Sequence, residues 1–106
     1  MRDVAGMLRS FDYAARHEVL SQPGDGRLTD AAPRWVRGCR DAFCAGYADI
    51  AGSDPARPRP GGDPGSSSPL LRALILQKAV YEAVYEARHR PDWLPIPLAA
   101  IAEASR

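Results

Sequence analysis

The chain has 106 residues, a formal net charge of +1 and 25% charged residues, which suits one modest domain or a part of one. A net charge this close to zero gives no electrostatic case for binding nucleic acid or an acidic membrane surface. No apolar run approaches the roughly 18 residues of a membrane span, and the N-terminus has no signal-type hydrophobic core. We therefore expect a soluble, cytoplasmic protein.

The first predicted helix runs from Asp3 to about Leu20. Asp3 suits the N-cap, where its carboxylate can accept hydrogen bonds from free backbone amides. Gly6 lowers helix propensity, which predicts a close approach by another backbone segment. One apolar stripe at i, i+3, i+4, i+7 spacing defines the helix. It comprises Val4, Met7, Leu8, Phe11, Ala14 and Ala15, and Glu18 continues the same spacing.

Two polar residues of this helix are candidates for chemistry. Asp12 lies on the shoulder of the apolar stripe, where it could meet an arginine or reach a cleft; a solvated or salt-bridged carboxylate is the commoner case. His17 lies between Arg16 and Glu18. A lone histidine among charged neighbours is typical of a surface and not of a catalytic base.

The segment SQPGDG at residues 21–26 breaks the first helix. Thr29 or Asp30 then suits the N-cap of a second helix, with Pro33 tolerated in its first turn and an end near Ala51–Gly52. Cys39 and Cys44 lie on this helix with diverging Cβ vectors, so we expect no disulfide and no metal site. Residues at helical spacing predict its core stripe, which comprises Trp35, Val36, Cys39, Ala42, Phe43, Gly46, Tyr47 and Ile50.

Residues 53–69 are rich in proline, glycine and serine, and repeated prolines can sustain neither helix nor sheet. We predict a flexible loop that joins two helices within a single domain spanning residues 1–106. The segment GGDPG within it lacks both a preceding strand and a following GK[ST], which excludes a phosphate-binding loop.

The third predicted helix runs from about Leu70 to His89, and Pro91 disfavours helix at the preceding residue. A short last helix is predicted at Leu98 to Ala104, with Pro97 just before it. Trp93, held between two prolines, could cover the core or form one wall of a sugar site. The predicted fold is all-α, with three main helices and a short C-terminal helix.

The third helix carries two unlike faces at about 100° per residue. Aromatic rings interleaved with hydrogen-bonding groups suit a polyol, whose C–H faces stack while its hydroxyls form hydrogen bonds. Alternatively, Lys78 and Glu82 form an ordinary i,i+4 ion pair, and Tyr81 and Tyr85 pack on a neighbouring helix. The polar face comprises Lys78, Tyr81, Glu82, Tyr85, Glu86 and Arg88, and the apolar face Leu76, Val80, Ala83, Val84 and Ala87.

Two blocks of the sequence resemble bacterial maltokinases, including the kinase part of proteins fused to trehalose synthase. The first is RDVAGMLRSFDYAA at residues 2–15, and the second is KAVYEAVYEARHRPDWLPIP at residues 78–97. The resemblance implies a kinase-like fold related to aminoglycoside phosphotransferases. It also implies transfer of the ATP γ-phosphate to maltose, giving maltose 1-phosphate for α-glucan (glycogen) synthesis.

The resemblance also assigns roles to residues. Lys78 and Glu82 would hydrogen-bond sugar hydroxyls, and Tyr81 and Tyr85 would stack on the sugar or hydrogen-bond to it. Arg88 would orient Glu86 or Asp92, while Asp3 would support the catalytic loop.

The family's catalytic and Mg²⁺-binding aspartates lie upstream of the first block. This sequence has no Gly-rich nucleotide loop, no ATP-pairing strand lysine and no His-x-Asp motif. We therefore expect ATP and Mg²⁺ to bind outside this segment, in the upstream N-lobe and catalytic loop, and we expect no catalytic residue here.

A second hypothesis comes from a different class of protein. The chain could be a non-catalytic helical interaction module derived from a truncated kinase. Its apolar faces would then be covered by a protein partner. A helix-turn-helix DNA-binding protein is disfavoured, because no helix carries a basic recognition face.

Overall fold

The computed structural model describes residues 2–52 and 68–105, which form four α-helices and a short 3₁₀ turn without any β-strand. The predicted all-α fold of three main helices and a short fourth is confirmed. Most of the predicted loop, residues 53–67, lies outside the described residues. None of the described helices is both long and apolar enough to cross a membrane. The elements are α1 (Arg2–Ser21), α2 (Gly26–Ala51), α3 (Pro69–His89), the 3₁₀ turn (Pro91–Trp93) and α4 (Pro95–Ala104).

Helix α2 begins earlier than the sequence predicted. Asp25, and neither Thr29 nor Asp30, is its N-cap, because the Asp25 carboxylate accepts hydrogen bonds from two backbone amides of the first turn at 3.1 Å. The end near residue 51 is confirmed. Gly52 follows the helix with φ of 79°, a left-handed conformation that favours glycine.

The other helix starts differ from the predictions by one to three residues. Asp3 lies inside the first turn of α1 and not at its cap, where its charge still complements the helix dipole. Ser68 caps α3, with Pro69 at the first helical position, so the end of the predicted 53–69 loop belongs to this helix start. Helix α4 begins at Pro95, because prolines in a first turn cost no intrahelical hydrogen bond.

Helix α1 is the central element. It packs against α2 on one side and against α3 on the other, while α4 packs on α3 and also touches α1. The buried face of α1 includes Ala5 and Arg9, whereas Met7 is 43% exposed and Ala14 is exposed, contrary to the predicted stripe. The core cluster that joins the three long helices comprises Val4, Ala5, Leu8, Cys44 and Leu71.

The predicted core stripe of α2 is only partly buried. Cys44 is buried, and Phe43 and Tyr47 pack on the core cluster, but Trp35 is 50% and Ile50 92% exposed. Helix α2 packs chiefly on α1; Trp35 packs edge-on against Phe11 of α1 and keeps half of its surface in solvent, while Ile50 is almost fully exposed.

Helix α3 turns toward α1 one edge of its predicted polar face and not its predicted apolar face. The buried residues of α3 are Leu71, Ala79 and Glu86, while Val80 and Val84, from the predicted apolar face, are about half exposed. The small side chain of Ala79 permits a close approach between helices, and an arginine of α1 pairs with an acidic residue of α3. Charge pairing and steric fit therefore decide which face is buried.

Candidate functional site

An open groove of about 490 Å³ runs between α1 and α3, and we call it the α1–α3 groove. Its volume falls within the roughly 300–1,000 Å³ typical of small-molecule sites. Helix α1 provides one wall and helix α3 the other, with one arginine from the turn after α3. The lining residues are Gly6, Arg9, Ser10, Tyr13 and Ala14 from α1, Lys78, Tyr81, Glu82, Tyr85 and Glu86 from α3, and Arg90.

Four of the five predicted sugar contacts line this groove: Lys78, Tyr81, Glu82 and Tyr85. The fifth, Arg88, is exposed on α3 outside the groove lining. Asp3, predicted to support a catalytic loop, is exposed in the first turn of α1 and does not line the groove either. The polar face of α3 is thus brought into one site, apart from its last arginine.

Glu82 is held by Arg9 from the opposite wall. The Nε atom of Arg9 lies 3.3 Å from Oε1 and 3.1 Å from Oε2, and its Nη2 lies 2.5 Å from Oε2. Arg9 is only 4% exposed. Burial by itself would lower the pKa of Arg9, but hydrogen bonds to Glu82 and Asp12 outweigh it and raise the pKa above its usual value. The guanidinium therefore stays charged.

The ordinary Lys78–Glu82 ion pair, one of the alternatives left open by the sequence, does not form. Glu82 is taken by Arg9, and Lys78 has no carboxylate partner in the part of the chain that the structure describes. Its side chain instead extends over α1. A Cβ built on Gly6 would lie 3.3 Å from Cε and 3.6 Å from Nζ of Lys78. The close approach predicted at Gly6 is thus made by a side chain and not by a backbone.

Asp12 continues this charged network along α1. It accepts a hydrogen bond from Arg9 and is bound by Nε of Arg16 at 2.9 Å through both carboxylate oxygens. Arg16 in turn lies 2.5 Å from Glu103 of α4. The salt-bridged interpretation of Asp12 is confirmed, and the network connects α3, α1 and α4.

A second arginine, Arg90, fixes the far end of the groove. It binds Glu86, which is 2% exposed, with Nη2 at 2.7 Å from Oε1 and Nε at 3.1 Å from Oε2. This hydrogen bonding raises the pKa of Arg90, although burial opposes the shift. The expectation that Arg88 orients Glu86 is wrong. A residue at i+4 lies on the same helix face, and one at i+2 does not.

Aromatic side chains surround the Arg90 guanidinium. Its Cζ lies 4.0 Å from the centre of the Trp93 ring and 5.4 Å from that of Tyr85, distances typical of cation–π contact. Trp93 also packs on Tyr13 and, edge-on, on His17, with ring centres 6.1 and 4.5 Å away. Trp93 therefore supports the groove from behind and does not line it, while His17 is partly covered and not fully on the surface.

Tyr13 contributes a partly buried ring with a buried hydroxyl to the groove wall. Its hydroxyl has no hydrogen-bond partner of good geometry within residues 2–52 and 68–105. Burial, together with the negative charge of Glu86, raises the pKa of the Tyr13 phenol, so it remains a neutral hydroxyl. Sequence analysis did not single out Tyr13, Arg9 or Arg90. The signal that the sequence offered was an arginine three residues before Asp12, at a spacing that places both on one side of the helix.

The groove is equipped for binding and orientation. Among the described residues no group of three or more histidine, cysteine or acidic side chains could hold a metal ion, and these residues do not fit a Mg²⁺ site. Cys39 and Cys44 are not joined in a disulfide. No known protein-family model matches the chain.

Proposed function

We propose that this chain is the acceptor-sugar-binding, C-terminal helical part of a maltokinase, and that maltose binds in the α1–α3 groove. One observation carries the proposal. The two sequence blocks that resemble maltokinases lie in α1 and in α3 with its following turn, and they provide the two walls of the same groove. Two segments more than sixty residues apart in the sequence thus form one polar and aromatic site.

The lining residues match the chemistry of a sugar. The rings of Tyr81 and Tyr85, which are 73% and 43% exposed, are available to stack on the C–H faces of a pyranose. Lys78 can donate hydrogen bonds to hydroxyls, and Glu82, with its charge compensated by Arg9, can accept them. Such contacts hold an acceptor hydroxyl in a fixed orientation.

Positioning is the contribution that phosphoryl transfer requires from such a lobe. ATP supplies the phosphoryl group and Mg²⁺ neutralises charge in the reaction. Both belong, by the resemblance, to the upstream part of the kinase, which would be the protein partner of this segment. Two cysteines that are not joined in a disulfide fit a reducing cytoplasm as the compartment.

The experiment that tests the site is a calorimetric titration of the chain with maltose. Replacing Tyr85 or Tyr81 by alanine should weaken binding about twofold to tenfold, since an aromatic contact contributes about 0.5–1.5 kcal/mol beyond burial. Arg88→Ala is the matched control, because it lies on the same helix outside the groove and should leave the affinity unchanged. Absence of maltose binding, or equal weakening by all three variants, would contradict the proposal.

The kinase context needs its own test in the native host. An antibody raised against residues 78–97 should detect a band several-fold heavier than 11.5 kDa, and that protein should phosphorylate maltose with ATP. In it, Tyr85→Ala should raise KM for maltose and leave KM for ATP nearly unchanged. A band only at the size of this chain would contradict the kinase context.

A second candidate function is a helical protein-interaction module. It is favoured by the apolar side chains left in solvent, with Trp35, Val80, Val84 and Leu98 each close to half exposed. Sedimentation velocity of the purified chain distinguishes the two. A module should self-associate into a stable complex, which Val84→Glu should dissociate and maltose should leave unchanged. A sugar-binding lobe should instead remain a monomer and bind maltose in the titration described above.

A further inference from the structure

We propose that Arg9 is the positioning residue of the α1–α3 groove. It holds Glu82 on the α1 side and thereby keeps the ammonium group of Lys78 free to contact the ligand. The sugar in this inference rests on the proposed function, whereas the side-chain arrangement does not depend on it.

Two cations compete for one carboxylate. Lys78 and Glu82 are four residues apart on α3, and such pairs usually meet on a helix surface. Arg9 approaches the same carboxylate with a planar guanidinium that makes three contacts of 2.5 to 3.3 Å. A bidentate guanidinium binds a carboxylate more strongly than a single ammonium does. The 4% exposure of Arg9 also strengthens the attraction, because the local dielectric constant is lower than that of water.

Arg9 is itself fixed before any ligand arrives. Its Nη1 donates to Asp12, and Asp12 is held from the other side by Arg16 through two contacts of 2.9 Å. The guanidinium therefore has one carboxylate at each end and little freedom to follow Glu82 if that side chain moved. A site fixed in this way loses less conformational entropy when a ligand binds.

As a result, Glu82 and Lys78 do not pair with each other, although they lie one helical turn apart on α3. Glu82 remains available as a hydrogen-bond acceptor and Lys78 as a donor. Glu82 keeps lone pairs for ligand hydroxyls, and the ammonium of Lys78 lies above Gly6, 3.6 Å from the position of a built Cβ. Without Arg9 the two α3 side chains would neutralise each other, and a polyol would have to break that ion pair before it could bind.

The test uses the fact that Lys78 is the only lysine of the chain. Labelling with ¹³C-lysine gives a single side-chain spin system, and a nuclear Overhauser effect between Lys78 Hε and Gly6 Hα is expected in the original sequence. In Arg9→Met the effect should be lost as Lys78 turns to Glu82. In the double variant Arg9→Met/Glu82→Gln it should return, because no carboxylate remains to attract the ammonium.

Circular dichroism of each variant shows whether the helices are retained. Should Arg9→Met fail to fold, Arg9→Gln takes its place, since it keeps a polar, hydrogen-bonding side chain without the charge. Retention of the full Overhauser effect in a folded Arg9 single variant would overturn the inference. So would its failure to return in the double variant. A merely structural role of Arg9 would change stability without moving Lys78 selectively.

Maltose titration of the same variants tests whether the arrangement held by Arg9 contributes to sugar binding. Affinity should fall about tenfold to a hundredfold in Arg9→Gln, the size expected when a hydrogen bond to a charged group is lost. An unchanged affinity, with Lys78 displaced, would overturn the functional role of Arg9 while the proposed sugar site stands. If the original chain does not bind maltose, the proposed function fails, and the Overhauser series still decides the arrangement of Arg9.

Discussion

Leu71 and Leu70 are consecutive residues at the start of α3 with opposite environments, and they give a matched pair for testing the core. Leu71 is 0% exposed in the cluster that joins α1, α2 and α3, whereas Leu70 is 48% exposed. Leu71→Ala removes three buried carbons, a loss of about 2.4 kcal/mol at roughly 0.8 kcal/mol each. A residual cavity of about 25 Å³ adds roughly 0.6 kcal/mol. The total is about 3 kcal/mol.

Leu70→Ala should cost only about 1 kcal/mol, because the half-exposed side chain contributes only about half of the burial free energy of Leu71 and its removal leaves no cavity. For a domain of this size each kcal/mol shifts Tm by about 4–8 °C. We therefore expect Tm to fall by about 12–24 °C for Leu71→Ala and by about 4–8 °C for Leu70→Ala. Thermal unfolding followed by circular dichroism measures the Tm of each variant, and urea unfolding measures the free energy of unfolding. Equal losses at the two positions would refute the packing of α3 described here.

Three further predictions concern the groove and the helix ends. Gly6→Ala should raise the free energy of unfolding by about 0.5–1 kcal/mol through helix propensity, because only the flexible end of Lys78 must move away. The same variant should weaken maltose binding, because it displaces the end of Lys78. A loss of stability would show that α1 has no room for a methyl group at position 6. Asp25→Ala should cost about 1 kcal/mol by removing the N-cap of α2; Asp25→Asn, which can still cap, should cost much less in the same urea experiment. Because the pKa of Tyr13 is raised in the folded state by burial and by Glu86, its contribution is complete below the unfolded pKa of about 10 and is lost as pH rises through the folded value. Stability measured between pH 9 and 11 should therefore fall less in Tyr13→Phe, and identical profiles would contradict the shift.

The sequence predicted which segments form helices, but it did not predict the first residue of each helix correctly. Hydrophobic periodicity and proline placement predicted all four helices, because both act within a few residues of the chain. The start of α2 was misplaced because several residues near it can serve as N-caps, and Asp25 is the one whose carboxylate reaches two free amides. A choice among competing caps depends on local geometry that residue types do not specify.

The groove was predictable in part for a similar reason. Spacing on one helix placed Lys78, Tyr81, Glu82 and Tyr85 together, since that relation depends only on helical geometry. It could not show which residues of α1 face them. Arg9 comes from a segment more than sixty residues away, and its pairing with Glu82 displaces the local ion pair that the spacing of Lys78 and Glu82 favoured.

The sequence by itself determined the helices, their approximate order along the chain and the polar face of α3. Only the tertiary structure decided which faces are buried and which cation binds each carboxylate. The physical reason is that burial and ion pairing depend on contacts between helices. Val84 is apolar yet 49% exposed, and Glu86 is charged yet 2% exposed, because the turn after α3 places the Arg90 guanidinium against the Glu86 carboxylate.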